Sequence, residues 1–419
     1  MLSVHTSPLD PPGAGDAGGM NVYVLELSRG LAARGIAVEV FTRATASELP
    51  ALVELEPGVL VHHVPAGPYD ELTKEDLPAQ LCAFSRAVLS TEAGHPPGHY
   101  DVVHAHYWLS GQVGALARDR WGVPLVQSMH TMAKVKNAAL AAGDQPEPRA
   151  RVIGEQQVVE AADVLVANTH AERRQLIEHY GAAPDRVEVV NPGVDLDVFA
   201  PRDPAASRRE LGLPERGHVV VFAGRLQPLK GADVLLEAIA ELVGGDPSLQ
   251  PAGALVVPVI GGSSGTGFDH GEELLMLARR LGLEHVVRFV PAMPQAELAR
   301  WYDAASVVCV PSHNESFGLV AVEAQACGTP VVAAAVGGLT TAVEHEGGGL
   351  LVHGWDPRAY AGAVGRLLRN DGERAAMAVA ARAHASRFGW DETARGVAQV
   401  YDAAVAATWE AREPTRTWA

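Results

Sequence analysis

Lysine is almost missing from this chain. Of 33 lysines and arginines in 419 residues only four are lysine: Lys74, Lys134, Lys136 and Lys230. The formal net charge of −17 leaves no broad basic surface. Nucleic acid, which is held through many phosphate contacts, is therefore not an expected partner. An anionic ligand must instead be gripped by a few placed cations. Cysteine is scarce as well. Cys82, Cys309 and Cys327 are far apart and lack metal-ligand spacing, and two of them sit in apolar surroundings that suit a core thiol. This usage fits a reduced compartment, the cytoplasm. No apolar run approaches the ~20 residues that span a bilayer, and the N-terminus lacks a signal-peptide pattern. There is no internal repeat.

What is present reads as a folded protein with room for two domains: 47% of residues are hydrophobic and 20% charged. In the first half, strands are expected at Leu2–Val4, Val38–Thr42, Val102–His104, in 123–131 up to His130-Thr131, at Val164–Asn168 and in 185–192. Helices fall between them: from Met20, over Leu77–Leu89, beyond His106-Tyr107-Trp108, and from 149 with Arg151 near the start. The second half alternates in the same way over 218–242, 254–267, 286–312 and the segment beyond Glu323. Alternation of this kind implies an α/β protein with doubly wound parallel sheets. The first strand is short, which implies either a late chain start or a thin sheet edge.

Three patterns carry chemistry. In 312–338, Glu315 and Glu323 stand eight residues apart around a helix that Asn314 or Ser316 could cap and that Gly328-Thr329-Pro330 should end. Carboxylates roughly 12 Å apart along a helix cannot share one proton. They can accept hydroxyls from the two ends of a sugar nucleotide, whose phosphates suit the helix N-terminus. The plainer alternative is a solvated glutamate on an outer face. The second pattern is Arg225 and Lys230, five residues apart before Gly231 and a helix, which would clamp a diphosphate. The third is the Gly18-Gly19 turn before Met20 and Asn21, facing the same crevice as His5 at a strand exit. Lys74 lies in the 67–78 loop or the first turn of the next helix, a poor place for a cation unless it meets an anion. His104-x-His106 lacks a third ligand at suitable spacing, which argues against metal.

The stretch SHNESFGLVAVEAQACGTPVV resembles the E-x7-E motif of retaining glycosyltransferases with the two-domain GT-B fold, the family that includes sucrose and glycogen synthases. HTSPL, GDAGGMNVYV, GPYDELTKEDLP, HAHYWLSGQVG, HTMAKVKN and EQQ extend the resemblance to the members that glycosylate inositol phosphate in mycothiol biosynthesis. The resemblance implies two Rossmann-like domains facing across a cleft. They would span 1–195 (acceptor) and 196–387 (UDP-sugar), with a last helix, 388–415, crossing back to the first. It implies transfer of N-acetylglucosamine from UDP-N-acetylglucosamine to 1D-myo-inositol 3-phosphate. By resemblance Lys74, Tyr107, Thr131 and Arg151 hold the acceptor phosphate, and His5, Gly18, Gly19, Met20 and Asn21 lie near the inositol. Gly19, Arg225, Lys230, Met293, Glu315 and Glu323 would hold the donor, with Met293 reading the uracil through its backbone. His130 would steady the donor sugar beside the catalytic set Arg225, Lys230 and Glu315. Relatives also hold a Mg2+ ion at positions matching Tyr302, Asp303, Ala305 and Thr329, structural and not required for chemistry, and a homodimer is a compatible assembly. The first-domain crevice motifs offer no carboxylate for a double displacement, so same-face attack is expected, the leaving phosphate taking the acceptor proton. The alternatives are a sibling transferase with another acceptor (sucrose-phosphate-type or lipid-linked) and a non-catalytic sugar-nucleotide-binding protein.

Overall fold

The computed structural model describes residues 1–10, 18–69, 72–140, 145–262 and 270–410. The expected loops over 10–19, 67–78 and 261–267, and the last residues of the expected 388–415 helix, therefore lie partly outside the described residues.

Two α/β lobes follow one another. The first holds strands β1 (Leu2–Ser3), β2 (Val38–Arg43), β3 (Leu52–Glu56), β4 (Val59–Val64), β5 (Val103–His106), β6 (Leu125–Ser128), β7 (Val164–Ala167) and β8 (Val187–Val189). They form one sheet in the order β3-β4-β2-β1-β5-β6-β7-β8. Around it lie α1 (Gly19–Ala32), α2 (Leu81–Glu92), α3 (Tyr107–Trp121), α4 (Ala133–Ala138), α5 (Arg149–Ala161) and α6 (His170–Tyr180). The second lobe holds β9 (His218–Ala223), β10 (Leu255–Ile260), β11 (Val287–Val290), β12 (Val307–Val310), β13 (Val331–Ala334) and β14 (Gly349–Val352), in the order β11-β10-β9-β12-β13-β14. Its helices are α7 (Pro204–Glu210), α8 (Ala232–Gly245), α9 (His270–Arg280), α10 (Gln295–Ala304), α11 (Leu319–Ala326), α12 (Leu339–Ala342), α13 (Pro357–Arg369) and α14 (Asp371–Ala385).

The apolar runs explain the parallel pairing. β5, β6, β10, β12 and β13 are buried at every residue, as strands covered on both faces must be. Each sheet carries a hydrophobic core on either side. One strand breaks the all-parallel expectation. β3 pairs antiparallel with β4 and alternates exposed with half-buried residues, which suits an edge with one wet face. β1 is short but central, with Leu2 facing Phe41 on β2 and Ala105 on β5, so its brevity does not make a thin edge. α2 starts at Leu81, not Leu77, because the Pro78 region forms a 3-10 turn over Leu77–Gln80.

α15 (Trp390–Glu410) leaves the second lobe and packs on the first. Trp390, Val397 and Tyr401 join Tyr23, Val24, Leu27 and Leu31 of α1 in one core. At the crossing the Val194 N–H donates to the Phe388 carbonyl at 2.7 Å. A Cβ on Gly193 would stand 2.5 Å from the Trp390 nitrogen. No described helix is long and apolar enough to cross a membrane.

Candidate active site

The loops at the C-terminal ends of both sheets meet between the lobes, where α/β proteins place ligands. In the second lobe, the chain after β9 turns through Pro228–Lys230 and enters α8 at Gly231. Gly231 has φ +69°, and a Cβ there would come 2.3 Å from the Pro311 carbonyl oxygen. Only glycine lets this loop press against the one after β12. The result is an ion pair: Lys230 Nζ stands 2.6 Å from Glu315 Oε2, with both side chains about one-fifth exposed. The Ser312 hydroxyl reaches the same oxygen at 3.5 Å.

α11 starts at Leu319. Its cap is Gly318 at φ +103°, and no side chain caps it. The expected capping by Asn314 or Ser316 is therefore wrong: a left-handed glycine makes the turn and leaves the first helical amides to whatever enters the cleft. Ser316 crosses the cleft and its hydroxyl donates to the His130 carbonyl of the first lobe. The other end forms as expected. Gly328 takes φ +81°, the Thr329 N–H donates to the Ala324 carbonyl and the Gly328 N–H to the Gln325 carbonyl, both at 2.9 Å.

Glu323 lies in the second turn of α11 and is buried. The Tyr302 hydroxyl (3.2 Å) and the Gln295 amide (3.4 Å) donate to it, and burial pushes its carboxyl up to about 7. Met293 is partly buried against the second-lobe core. Behind Glu323, the Tyr302 carbonyl accepts from Thr329 Oγ1 at 2.6 Å and from the Ala305 N–H at 3.1 Å. Asp303 Oδ1 accepts from the Arg202 N–H at 3.1 Å, while its other oxygen is buried without a hydrogen bond. Burial pushes the Asp303 carboxyl up to about 6.

In the first lobe two cleft residues hold strained backbones. Tyr107 (φ +71°) and His130 (φ +60°) are two of the three non-glycine residues with positive φ among the described residues. Each follows a strand end, and such strain persists only where surrounding packing enforces it. The Tyr107 ring is the hub of a cluster. The His5 ring lies 4.4 Å from it, Lys74 Nζ 4.6 Å and the Arg151 guanidinium carbon 5.0 Å. Arg151 donates to Thr131 Oγ1 at 2.8 Å. Two carboxylates, Glu147 and Glu155, hold its other nitrogens at 2.7 Å each. Lys74, Tyr107, Thr131 and Arg151, 77 residues apart at their extremes, are thus one group.

Asn21 is buried and already committed. Its Oδ1 accepts from the Gly18 N–H at 3.0 Å, and its Nδ2 donates to Thr6 Oγ1 at 2.6 Å and to the Ser7 carbonyl. It shapes the turn around His5. His104 and His106 are buried; His104 meets Tyr401 and Ser128, and His106 Nδ1 lies 3.0 Å from His130 Nε2. Burial pushes the His130 imidazole down to about 3, so it is neutral at physiological pH. Lys134 stays out of this cluster, and Lys136 joins it only through Glu147, which also holds Arg151. Lys134 bonds Gln156, and Lys136 pairs with Glu147.

The two cation sets converge. His5 is pushed well below the usual imidazole range by burial first, then by Lys74, His130, Arg151 and Arg225. Arg225 comes from the second lobe. A Cβ on Gly18 would lie 3.8 Å from its Nε, and one on Gly19 would lie 3.2 Å from Leu319 Cδ1. The N-termini of α1 and α11 therefore face each other, with cations from both lobes around them: a site for an elongated polyanion.

One carboxylate escaped the sequence reading. Glu172 lines the cleft with His130, Thr131, Glu315 and Ser316. Its N–H donates to Thr169 Oγ1 (3.1 Å), its Oε2 accepts from the Asn168 N–H (3.0 Å), and its Oε1 is buried without a partner. Burial pushes it up to about 7. The signal was the Thr169-x-x-Glu172 capping-box spacing at the start of α6.

This geometry has counterparts in known proteins. Residues 18–193 match the family of glycosyl transferase 4-like domains and residues 203–384 that of glycosyl transferases group 1. The chain is 62% identical over 417 residues to the D-inositol 3-phosphate glycosyltransferase of a Nocardioides species, covering 98% of this chain and 91% of that one. It is also 62% identical over 401 residues to the Kribbella flavida enzyme of the same name, covering 96% and 94%. The chain belongs to the D-inositol 3-phosphate glycosyltransferase family. Among solved structures, the sucrose-phosphate synthase of Thermosynechococcus elongatus superposes with a TM-score of 0.89 at 32% identity, over 97% of this chain and 98% of that one. The lipopolysaccharide glycosyltransferase WaaG superposes at 0.72 and 19% identity, over 96% and 99%, a likeness of fold alone. The chain thus has the GT-B fold and is a hexosyltransferase.

Proposed function

We propose that the donor is UDP-N-acetylglucosamine, that the acceptor is 1D-myo-inositol 3-phosphate, and that transfer retains the anomeric configuration, as in the first glycosyl step toward mycothiol. The observation that carries this reading is the gathering of Lys74, Arg151 and His5 on the Tyr107 ring, with Arg225 of the second lobe reaching Gly18. It sets a compact anion site beside an elongated one. Lys74, Tyr107, Thr131 and Arg151 hold the acceptor phosphate, with the Arg151 guanidinium held in place by Glu147 and Glu155. Arg225, Lys230 and the amides of α11 take the diphosphate.

The acceptor hydroxyl attacks the anomeric carbon on the face from which UDP leaves, and its proton passes to a leaving phosphate oxygen. Arg225 and Lys230 stabilise the charge that grows on that phosphate. Glu315 Oε2 is bound to Lys230, which suits it to orient a sugar hydroxyl through Oε1 rather than to act as a nucleophile. His130, neutral and tied to His106, positions the sugar. Glu323 accepts a ribose hydroxyl, and Met293 meets the uracil. Glu172 is a rival nucleophile for double displacement: one of its oxygens accepts from the Asn168 N–H and the other has no hydrogen-bond partner.

The oxygens of Tyr302, Asp303, Ala305 and Thr329 suit a hard cation such as Mg2+. The Asp303 oxygen that accepts no hydrogen bond, with Arg202 Nε 4.0 Å away, fits one. The ion would brace the chain behind Glu323, and no step passes through it. The same reading makes the reaction cytoplasmic, an assignment that the three unpaired cysteines support, and is compatible with a homodimer.

A UDP-release assay tests the function. UDP should appear from UDP-N-acetylglucosamine only when inositol 3-phosphate is added, and product NMR should show the donor's anomeric configuration. Release that needs another acceptor would overturn the acceptor assignment, and no release with any acceptor would leave a binding protein.

A further inference from the structure

A second cluster of ligating side chains lies away from the cleft. Glu39 sits near the N-terminal end of β2, whereas the cleft faces the C-terminal strand ends. Its Oε2 accepts from the Tyr100 hydroxyl at 2.8 Å and lies 2.7 Å from His62 Nε2. Its Oε1 lies 3.2 Å from His99 Nε2. His95 stacks on His99 with ring centroids 3.8 Å apart and planes within 4°. Ligand atoms of Glu39, His95 and His99 all fall within 4.8 Å of one another, the one such group of three or more His, Cys, Asp or Glu among the described residues. Nothing in the transfer reaction uses it.

We propose that Glu39, His95 and His99 form a site for a first-row transition cation of the Zn2+ class. Two imidazoles and one carboxylate are the donor set such ions take, leaving open positions for water. The carboxylate is prepared for the role. His62 and Tyr100 hold one oxygen and turn the other toward His99, as outer-shell partners do for metal-bound carboxylates. His95 and His99 bracket Pro96-Pro97-Gly98. The prolines stiffen this loop, and Gly98 at φ +80° turns it back so that both rings face Glu39. Coordination turns one ring out of the stack, an easy rotamer change for exposed side chains. The net charge of −17 favours cation approach. A bound ion would fasten the 95–99 loop to β2 and stabilise the first lobe without touching the cleft.

The test uses full-length, tag-free protein stripped with EDTA and dialysed. It is titrated with ZnCl2 by calorimetry and with CoCl2 by visible absorption. Wild type should bind one equivalent, and His95→Ala/His99→Ala should lose it while keeping its circular dichroism and UDP release, because both rings are exposed. His62→Ala should weaken binding about 10- to 100-fold, the usual effect of removing an outer-shell partner. Zn2+ should raise the Tm of wild type but not of the double variant. No uptake by wild type, or equal uptake by the double variant, would overturn the site.

Discussion

At the scale of single residues, the cleft depends on a few cations in an acidic protein. Lys230→Ala and Glu315→Ala should each lower kcat by about 10²–10³-fold or more, the range for removing one group aimed at transition-state charge, with circular dichroism unchanged. Full activity in both would end the donor-site assignment. Lys74→Ala should weaken inositol 3-phosphate binding about 10- to 100-fold, as for one lost charge-assisted hydrogen bond, and leave UDP-sugar binding alone. Calorimetry with each ligand separates the two, and equal loss of both would count against the clamp. Glu172 makes a pH prediction. Its carboxyl is raised from 4.5 to about 7. Below about pH 4.5 folded and unfolded chains both hold the proton. Between there and 7 the unfolded chain releases it first, so stability falls as pH rises, by about 3 kcal/mol once both are ionised. Glu172→Gln should flatten that fall in urea titrations from pH 4.5 to 7.5 and keep its turnover. Loss of turnover with the fold intact would revive double displacement. Most of these residues could be read from the chain, because motifs such as Arg225-x4-Lys230 keep their chemistry close in sequence. Glu172 was overlooked because its signal is that of a helix cap, and only burial at a cleft wall gives it an unusual proton affinity.

At the scale of elements, patterns of apolar residues placed nearly every strand, and turn chemistry placed the helix ends. The C-terminus of α11 was legible because Gly328, Thr329 and Pro330 each have one local use there. Its N-terminus was not. Asn314 and Ser316 are good caps by residue type, but Gly318 adopts a backbone that they cannot, and the packing of Leu339 against it decides the turn: a Cβ there would stand 2.6 Å from Leu339 Cδ2. The β3–β4 hairpin shows the same limit, since an edge strand with a wet face lacks the long apolar run that marks the buried parallel strands of the sheet. Gly231 allows a test at this scale. Gly231→Ala places a Cβ against the Pro311 carbonyl in a left-handed backbone. It should destabilise the second lobe by at least about 1–3 kcal/mol, the range for such backbone strain, read as a lower urea midpoint, and should separate Lys230 from Glu315, seen as weaker UDP binding. An unchanged midpoint would mean the loop has slack that the contact denies.

At the scale of the whole molecule, the crossing at Val194 and Phe388, α15 on the first lobe, and Ser316 reaching the His130 carbonyl all help to join the lobes. Trp390 packs where α15 meets α1, edge-on to Tyr23 at 5.8 Å. Trp390→Ala should cost about 3–5 kcal/mol, as for other buried aromatics, with the first lobe melting ahead of the second in differential scanning calorimetry. A single unshifted transition would show that α15 adds little. The sequence alone determined the class of fold and most of the run of strands and helices, because periodicity and turn residues act over short spans of chain, and its resemblance to a family pointed to the donor and acceptor motifs. Tertiary structure alone decided that Lys74 and Arg151 share one tyrosine, that Arg225 reaches Gly18 from the other lobe, that Asn21 is committed to its own turn, and that Glu172 is buried in the cleft. Each of these is a distance or a desolvation between residues far apart in the chain, set only when two separately folded sheets come face to face.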